Sequence, residues 1–189
     1  MTISFLEEHD VSLLTRALLV GADRPGAAIA ARVAVDWDCG ARLRIDVASA
    51  VECICFQAVR MDGTKAYIGY GGRIFIVDCV TEDVVMHQLD GYFCDFYDAA
   101  QLQTSGDDFR LLASSASELF AFGPDGALRW KTADLGIDGV LVHAVTPTHI
   151  EGSGQWDPPG GWEPFILATR TGTRIGGGSA SALPLMQCA

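Results

Sequence analysis

The sequence predicts an all-β chain assembled from repeated antiparallel meander units, and three observations lead there. Apolar residues come as short runs rich in Val, Ile, Phe and Tyr, not at the three-to-four spacing of an amphipathic helix. Gly, Asp and Pro punctuate those runs at turn-like intervals. One strand–turn–strand segment also recurs 45 positions further along.

In chain order, the pattern predicts strands at Ser12 to Val20, Ala28 to Asp36, Arg42 to Val47, Glu52 to Val59, Lys65 to Tyr70, Arg73 to Asp78 and Val84 to Leu89. Further strands are expected at Arg110 to Ser114, Glu118 to Phe122, Leu128 to Lys131, Val140 to Val145 and Pro164 to Thr169. A single helix is expected at the front, where Ser4 and Glu7 have capping-box spacing ahead of Leu13 and Leu14.

The repeat sets Tyr67-Ile-Gly-Tyr-Gly-Gly-Arg-Ile-Phe-Ile-Val-Asp78 over Leu112-Ala-Ser-Ser-Ala-Ser-Glu-Leu-Phe-Ala-Phe-Gly123. Each copy is a strand, a small-residue turn and a second strand. A polar turn follows, Thr81-Glu82-Asp83 in one and Pro124-Asp125-Gly126 in the other, and then a third strand near Met86 or Trp130. Arg32 to Asp36 reads as a weaker earlier copy. Periods of roughly 40 to 50 residues of meandering β mark propeller blades. Within the second copy, Leu119 to Thr132, with its Asp-Gly turn and its strand bearing Trp130, resembles the quinoprotein-type and WD40-like propeller repeats. The fold expected is therefore propeller-like or a partial propeller, since about four such units fit the chain. The alternative is an antiparallel β-sandwich, whose hairpins share turn chemistry for ordinary reasons.

At 189 residues, 49% hydrophobic and 20% charged, the chain can bury one core. Residues 1–175 are expected to form a single β domain and 176–189 a flexible C-terminal tail. Thirteen Lys and Arg against twenty-four Asp and Glu leave a net charge of −11, a field that repels phosphate backbones and anionic lipid and attracts a basic protein. Neither nucleic acid nor membrane is an expected partner. Glu7, Glu8 and Asp10 stand where a secretory leader carries cations, and the apolar run Val11 to Ala22 is broken by Arg16. Cysteines 39, 53, 55, 79, 94 and 188 have no Cys-x-x-Cys spacing, so free core thiols in a reducing cytoplasm are expected, with no metal and no cofactor.

The most unusual segment is Gly152 to Trp162, where Trp156 and Trp162 flank Asp157-Pro-Pro-Gly-Gly. Prolines fix φ and glycines allow close approach, which predicts an ordered aromatic loop serving either as a binding face or as a plug on one end of the fold. The binding residues expected are Trp156, Asp157, Trp162, Glu163, His149 and Glu151; no catalytic or metal-ligating residue is expected. Asp95 and Asp98 lie among aromatics, where desolvation raises a carboxyl pKa, though their spacing puts them on opposite faces of a strand. His87, His143 and His149 accompany no activated nucleophile motif. Gly71-Gly72 and Gly176 to Gly178 lack the Lys-Ser of a phosphate cradle.

Trp130 to Val142 together with the Trp-Asp-Pro-Pro-Gly-Gly-Trp segment resembles an uncharacterised bacterial family of small cytoplasmic proteins, a likeness that implies no particular activity. The function expected is a non-catalytic protein-binding or inhibitory module, in the manner of an immunity protein that neutralises a toxin or effector. The alternative is a small propeller-type enzyme or cofactor binder, quinone-dependent or a carboxylate hydrolase, using Asp95, Asp98 and Asp138.

Overall fold

The computed structural model describes residues 1–7, 17–22, 26–40, 42–49, 56–98, 109–156 and 160–177. Among them are sixteen strands and no helix, arranged as four sheets of four strands. The first sheet holds β1 (Thr2–Phe5), β2 (Ala17–Val20), β3 (Ala28–Asp36) and β4 (Arg42–Ser49) in the order β1-β3-β4-β2, with β2 parallel to β4. The other three are antiparallel meanders. They are β5 (Gln57–Asp62) to β8 (Val84–Gln88) through β6 (Lys65–Tyr70) and β7 (Arg73–Asp78), and β9 (Phe93–Asp98) to β12 (Leu128–Thr132) through β10 (Leu111–Ser115) and β11 (Leu119–Phe122). The fourth runs from β13 (Val140–Val145) through β14 (His149–Trp156) and β15 (Gly161–Ala168) to β16 (Arg174–Gly176).

The sheets stack in series, β1 against β5, β5 against β9 and β10 against β13. Each boundary between successive sheets holds one apolar cluster. The inner strands of the two middle sheets, β6, β7, β10 and β11, are therefore buried on both faces. Along β7, Phe75 and Val77 pack with Ile45 and Val47 of the first sheet, while Ile74 and Ile76 pack with Phe120 and Phe122 of the third. A strand covered on both sides has no polar alternation, which is why Ile74 to Val77 and Leu119 to Phe122 are unbroken apolar runs. No fourth cluster joins the last sheet to the first among the described residues, and Leu141 and Trp162 of the last sheet are exposed. The result is an all-β, propeller-like stack of four-stranded sheets, none of them closed into a barrel.

Residues 65–88 and 111–132 are three-stranded antiparallel units whose registers match except at a bulge between Ala121 and Phe122 in the second. Ile76 pairs with Tyr67 and Val85; 45 positions on, Ala121 pairs with Leu112 and Trp130. Carboxylates close the matching turns: Asp78 accepts the Val80 and Thr81 amides, and Asp125 accepts the Ala127 amide and the Arg129 guanidinium.

The structure corrects several local expectations. Ser4 and Glu7 do not cap a helix. Thr2 to Phe5 is a strand, because Ile3 and Phe5, two apart, both pack into the cluster of Val33 and Val35, which only extended chain permits; Leu13 and Leu14 lie outside the described residues. Gly152 to Trp156 and Gly161 to Trp162 are paired strand residues of the β14–β15 hairpin and not a loop, while Asp157, Pro158 and Pro159 lie outside the described residues. Gly152 and Gly154 are strand glycines: a Cβ at Gly152 would stand 2.2 Å from the Phe165 ring, and one at Gly154 1.6 Å from the Leu135 carbonyl oxygen. Arg32 to Asp36 belongs to a sheet that is not a meander, since β2 enters beside β4. β9 and β16 escaped the pattern, the first because Asp95 and Asp98 interrupt it, the second because it is three residues long. Residues 12–16, Cys53, Cys55 and the expected tail from 178 onward lie outside the described residues.

On the face of the first sheet turned away from its apolar cluster, Asp46 is 5% exposed and pairs in register with Arg32. Arg44 donates from Nη2 to Asp46 Oδ2 at 3.0 Å; its Nε lies 2.9 Å from Oδ1 without hydrogen-bond alignment, and Arg32 Nε is 3.8 Å away.

Candidate functional site

Four connections meet at one end of the third and fourth sheets: β8 to β9, β10 to β11, β12 to β13, and the tip of the β14–β15 hairpin. The segment from β12 to β13 is held by backbone hydrogen bonds on both sides. Leu135 N donates to Ser117 O and Gly139 N to Ala116 O, while Ile137 N donates to Gln155 O and Gln155 N to Gly139 O. Such a connection cannot swing without breaking a ladder, so its side chains are preorganised.

Between these connections lies a cleft of about 290 Å³ lined by Asp90, Ala116, Ser117, Asp134, Ile137 and Trp156, together with Gly91 and Gly136. Ser117 Oγ donates to Asp90 Oδ2 at 3.2 Å, and the Asp90 amide donates to Glu118 Oε2 at 2.8 Å. Glu118 is 3% exposed and is neutralised by Lys131 at 2.7 Å. Asp134 adopts φ 56°, a left-handed conformation that Asp tolerates better than most residues. Beside the cleft, Tyr92 donates its hydroxyl to the Asp138 carbonyl and lies 2.8 Å from Asp138 Oδ1. No Lys or Arg is among the described residues that line the cleft.

Of the residues expected to bind, Trp156 lines this cleft, and Trp162 does not. Trp156 pairs with Gly161 and Trp162 with Gln155, neighbouring rungs of one hairpin, so the two indoles leave opposite faces of the sheet. Trp162 is 48% exposed and borders Gly139. Glu163 pairs with Gly154 beside them, and Asp157 lies outside the described residues. His149 and Glu151 are joined to each other at 3.0 Å near the far end of β14, about 20 Å from Trp156 at the usual rise per strand residue.

Asp95 and Asp98 face opposite sides of β9, yet Arg60 reaches both, with Nε 3.4 Å from Asp98 and Nη2 4.0 Å from Asp95. Burial raises the Asp98 pKa, and Arg60 opposes that rise. His143 Nε2 meets Ser153 Oγ at 2.8 Å. Asp90, Ser117 and Asp134 were not singled out from sequence, although Asp90-Gly91 and Asp134-Leu-Gly136 put glycines 45 apart at matching inter-sheet connections, the same offset as the strands.

No group of three or more His, Cys, Asp or Glu with metal-holding geometry is present among the described residues. Cys39 and Cys79 are free thiols, and burial pushes Cys79 up to about 11. No helix among the described residues is long and apolar enough to cross a membrane. Compared with known proteins, the chain matches no family model and none of the curated sequences.

Proposed function

We propose that this protein is a non-catalytic binding module that takes a basic segment of a protein partner at the Trp156 cleft, acting in the cytoplasm as an inhibitory, immunity-type protein does. The observation that carries the reading is the cleft lining: two carboxylates, Asp90 and Asp134, together with the Trp156 indole, and no cation among the described lining residues. A guanidinium or ammonium group placed there gains charge pairing from the carboxylates and cation–π attraction from Trp156. The net charge of −11 steers a basic partner toward it.

The test is affinity capture with the full chain, followed by titration of the recovered partner against wild type, Trp156→Ala and Asp90→Asn/Asp134→Asn. The reading expects normal melting and at least a thirtyfold loss of affinity for Trp156→Ala, equivalent to about 2 kcal/mol at a hot spot. It also expects affinity to fall with added salt. A partner that binds both variants as it binds wild type would overturn it.

A further inference from the structure

Two boundaries between sheets share one strand order and are filled differently. Where the third sheet meets the fourth, Trp130 on β12 stands opposite Ala121, and its indole N–H donates to the Thr169 carbonyl at 3.0 Å. Gly172 in the β15–β16 turn approaches that ring so closely that a Cβ there would stand 2.4 Å from it. Thr132, two residues after Trp130, donates to the Gly172 carbonyl at 2.7 Å. An aromatic ring with one polar edge thus seals this boundary.

Where the second sheet meets the third, the position of Trp130 is held by Val85, opposite Ile76, and that of Thr132 by His87. A valine cannot span the space that an indole spans. The boundary is left with a cleft of about 400 Å³, walled by Ile76, Val85, His87 and Leu128 and bounded by Gly126, whose positive φ of 76° repeats that of Gly172 at 67°. The His87 ring tilts against Phe122 at 5.3 Å between centroids. Its Nε2 is buried and has no hydrogen-bond partner among the described residues, a costly state for a ring nitrogen that can either donate or accept.

We propose that this cleft binds a small heteroaromatic molecule of indole size bearing an N–H, its ring lying where Trp130 lies one sheet later and its polar edge meeting His87 Nε2. The volume falls within the range of ligand pockets, roughly 300 to 1,000 Å³, and apolar walls with a few convergent polar groups are their usual chemistry. The mouth selects charge. Lys65 is already paired with Asp78 at 3.0 Å, and Asp83 and Asp125 also border the cleft, so a neutral or cationic ligand fits and a carboxylate-bearing one is repelled. The site lies at the β7–β8 and β11–β12 turns, the opposite strand ends from the Trp156 cleft, and is independent of the partner reading.

Indole titrated into the full chain, followed by amide chemical shifts, is expected to move Val85, His87 and Gly126 saturably. Tryptamine should bind more tightly than indole-3-acetate. His87→Ala should weaken indole binding roughly three- to tenfold, the fold-change of one ordinary hydrogen bond, and Val85→Trp should abolish it by filling the space. Unmoved amides at millimolar indole, or undiminished binding in a folded Val85→Trp chain, would overturn the site. If that variant does not fold, the wild-type contrast decides, and indole-3-acetate binding as well as tryptamine would sink it. Binding of N-acetyltryptophanamide without binding of indole would instead assign the cleft to a polypeptide side chain and overturn the small-molecule assignment.

Discussion

The boundary between the third and fourth sheets is sealed core, and the boundary between the second and third is partly open, although strand order matches and Trp130 and Val85 hold equivalent paired positions. One pair of positions makes the difference: Trp130 and Thr132 tie their sheet to the next through its turn, whereas Val85 and His87 reach no such partner among the described residues. A repeated backbone frame therefore does not dictate a repeated core. Backbone pairing sets where a side chain points, and its volume decides whether the space beneath it becomes packing or a site.

The largest break in this contrast comes from truncating both positions. Trp130→Ala removes a 9%-exposed indole and its hydrogen bond and is expected to cost about 3 to 5 kcal/mol, whereas Val85→Ala, at a residue 51% exposed, should cost about 1 kcal/mol or less. Urea denaturation of both variants measures it. Equal losses would mean the second boundary is as tightly packed as the third.

A smaller effect is expected at the Trp156 cleft, where Glu118 ties the β8–β9 connection to β12 through the Asp90 amide and Lys131. Glu118→Ala leaves that amide without its acceptor and is expected to cost about 3 kcal/mol. Amide exchange should quicken at Asp90 and Gly91 before it does in β6 or β7. Uniform quickening would show that the connection has no local stability of its own.

The smallest effects are pH-dependent and separate the two copies of the repeat. Burial, with Lys131 nearby, holds the His87 imidazole below its ordinary 6.5. The unfolded chain therefore takes up a proton that the folded chain resists, so stability is full above about 6.5 and declines as pH falls below it. Asp78 is also held down, from 3.8 to about 2, here because its charged form is favoured, chiefly through its bond from Lys65 and the turn amides. Its contribution is present above 3.8 and is lost as pH falls from there through about 2. His87→Gln should flatten the upper limb of a stability–pH curve and Asp78→Asn the lower, while Thr132→Ala, in the second copy, should change neither limb. An upper limb that survives His87→Gln would place that titration elsewhere.

Much of the strand pattern was legible from residues alone. Lys65 to Tyr70, Arg73 to Asp78 and Val140 to Val145 match their strands end to end, because β-branched and aromatic runs between Gly and Asp turns leave extended chain as the favourable state. The 45-residue offset then located equivalent strands, since side chains that repeat at that distance meet equivalent neighbours. The candidate site was legible only in part. Trp156 was visible as an unusual residue, but Asp90, Ser117 and Asp134 are drawn to it from three other connections, and no local pattern records which connections converge.

What the sequence determined by itself was a β chain of like units with a strong negative charge, because propensity, turn chemistry and net charge are sums over nearby residues. Only the tertiary structure decided that Thr2 to Phe5 is a strand, that the two Trp residues leave opposite faces of one hairpin, and that Val85 opens what Trp130 closes. Each of those outcomes depends on what lies across a sheet or a boundary. Burial against a partner distant in the chain outweighs the few tenths of a kcal/mol to about 1 kcal/mol that local preference supplies.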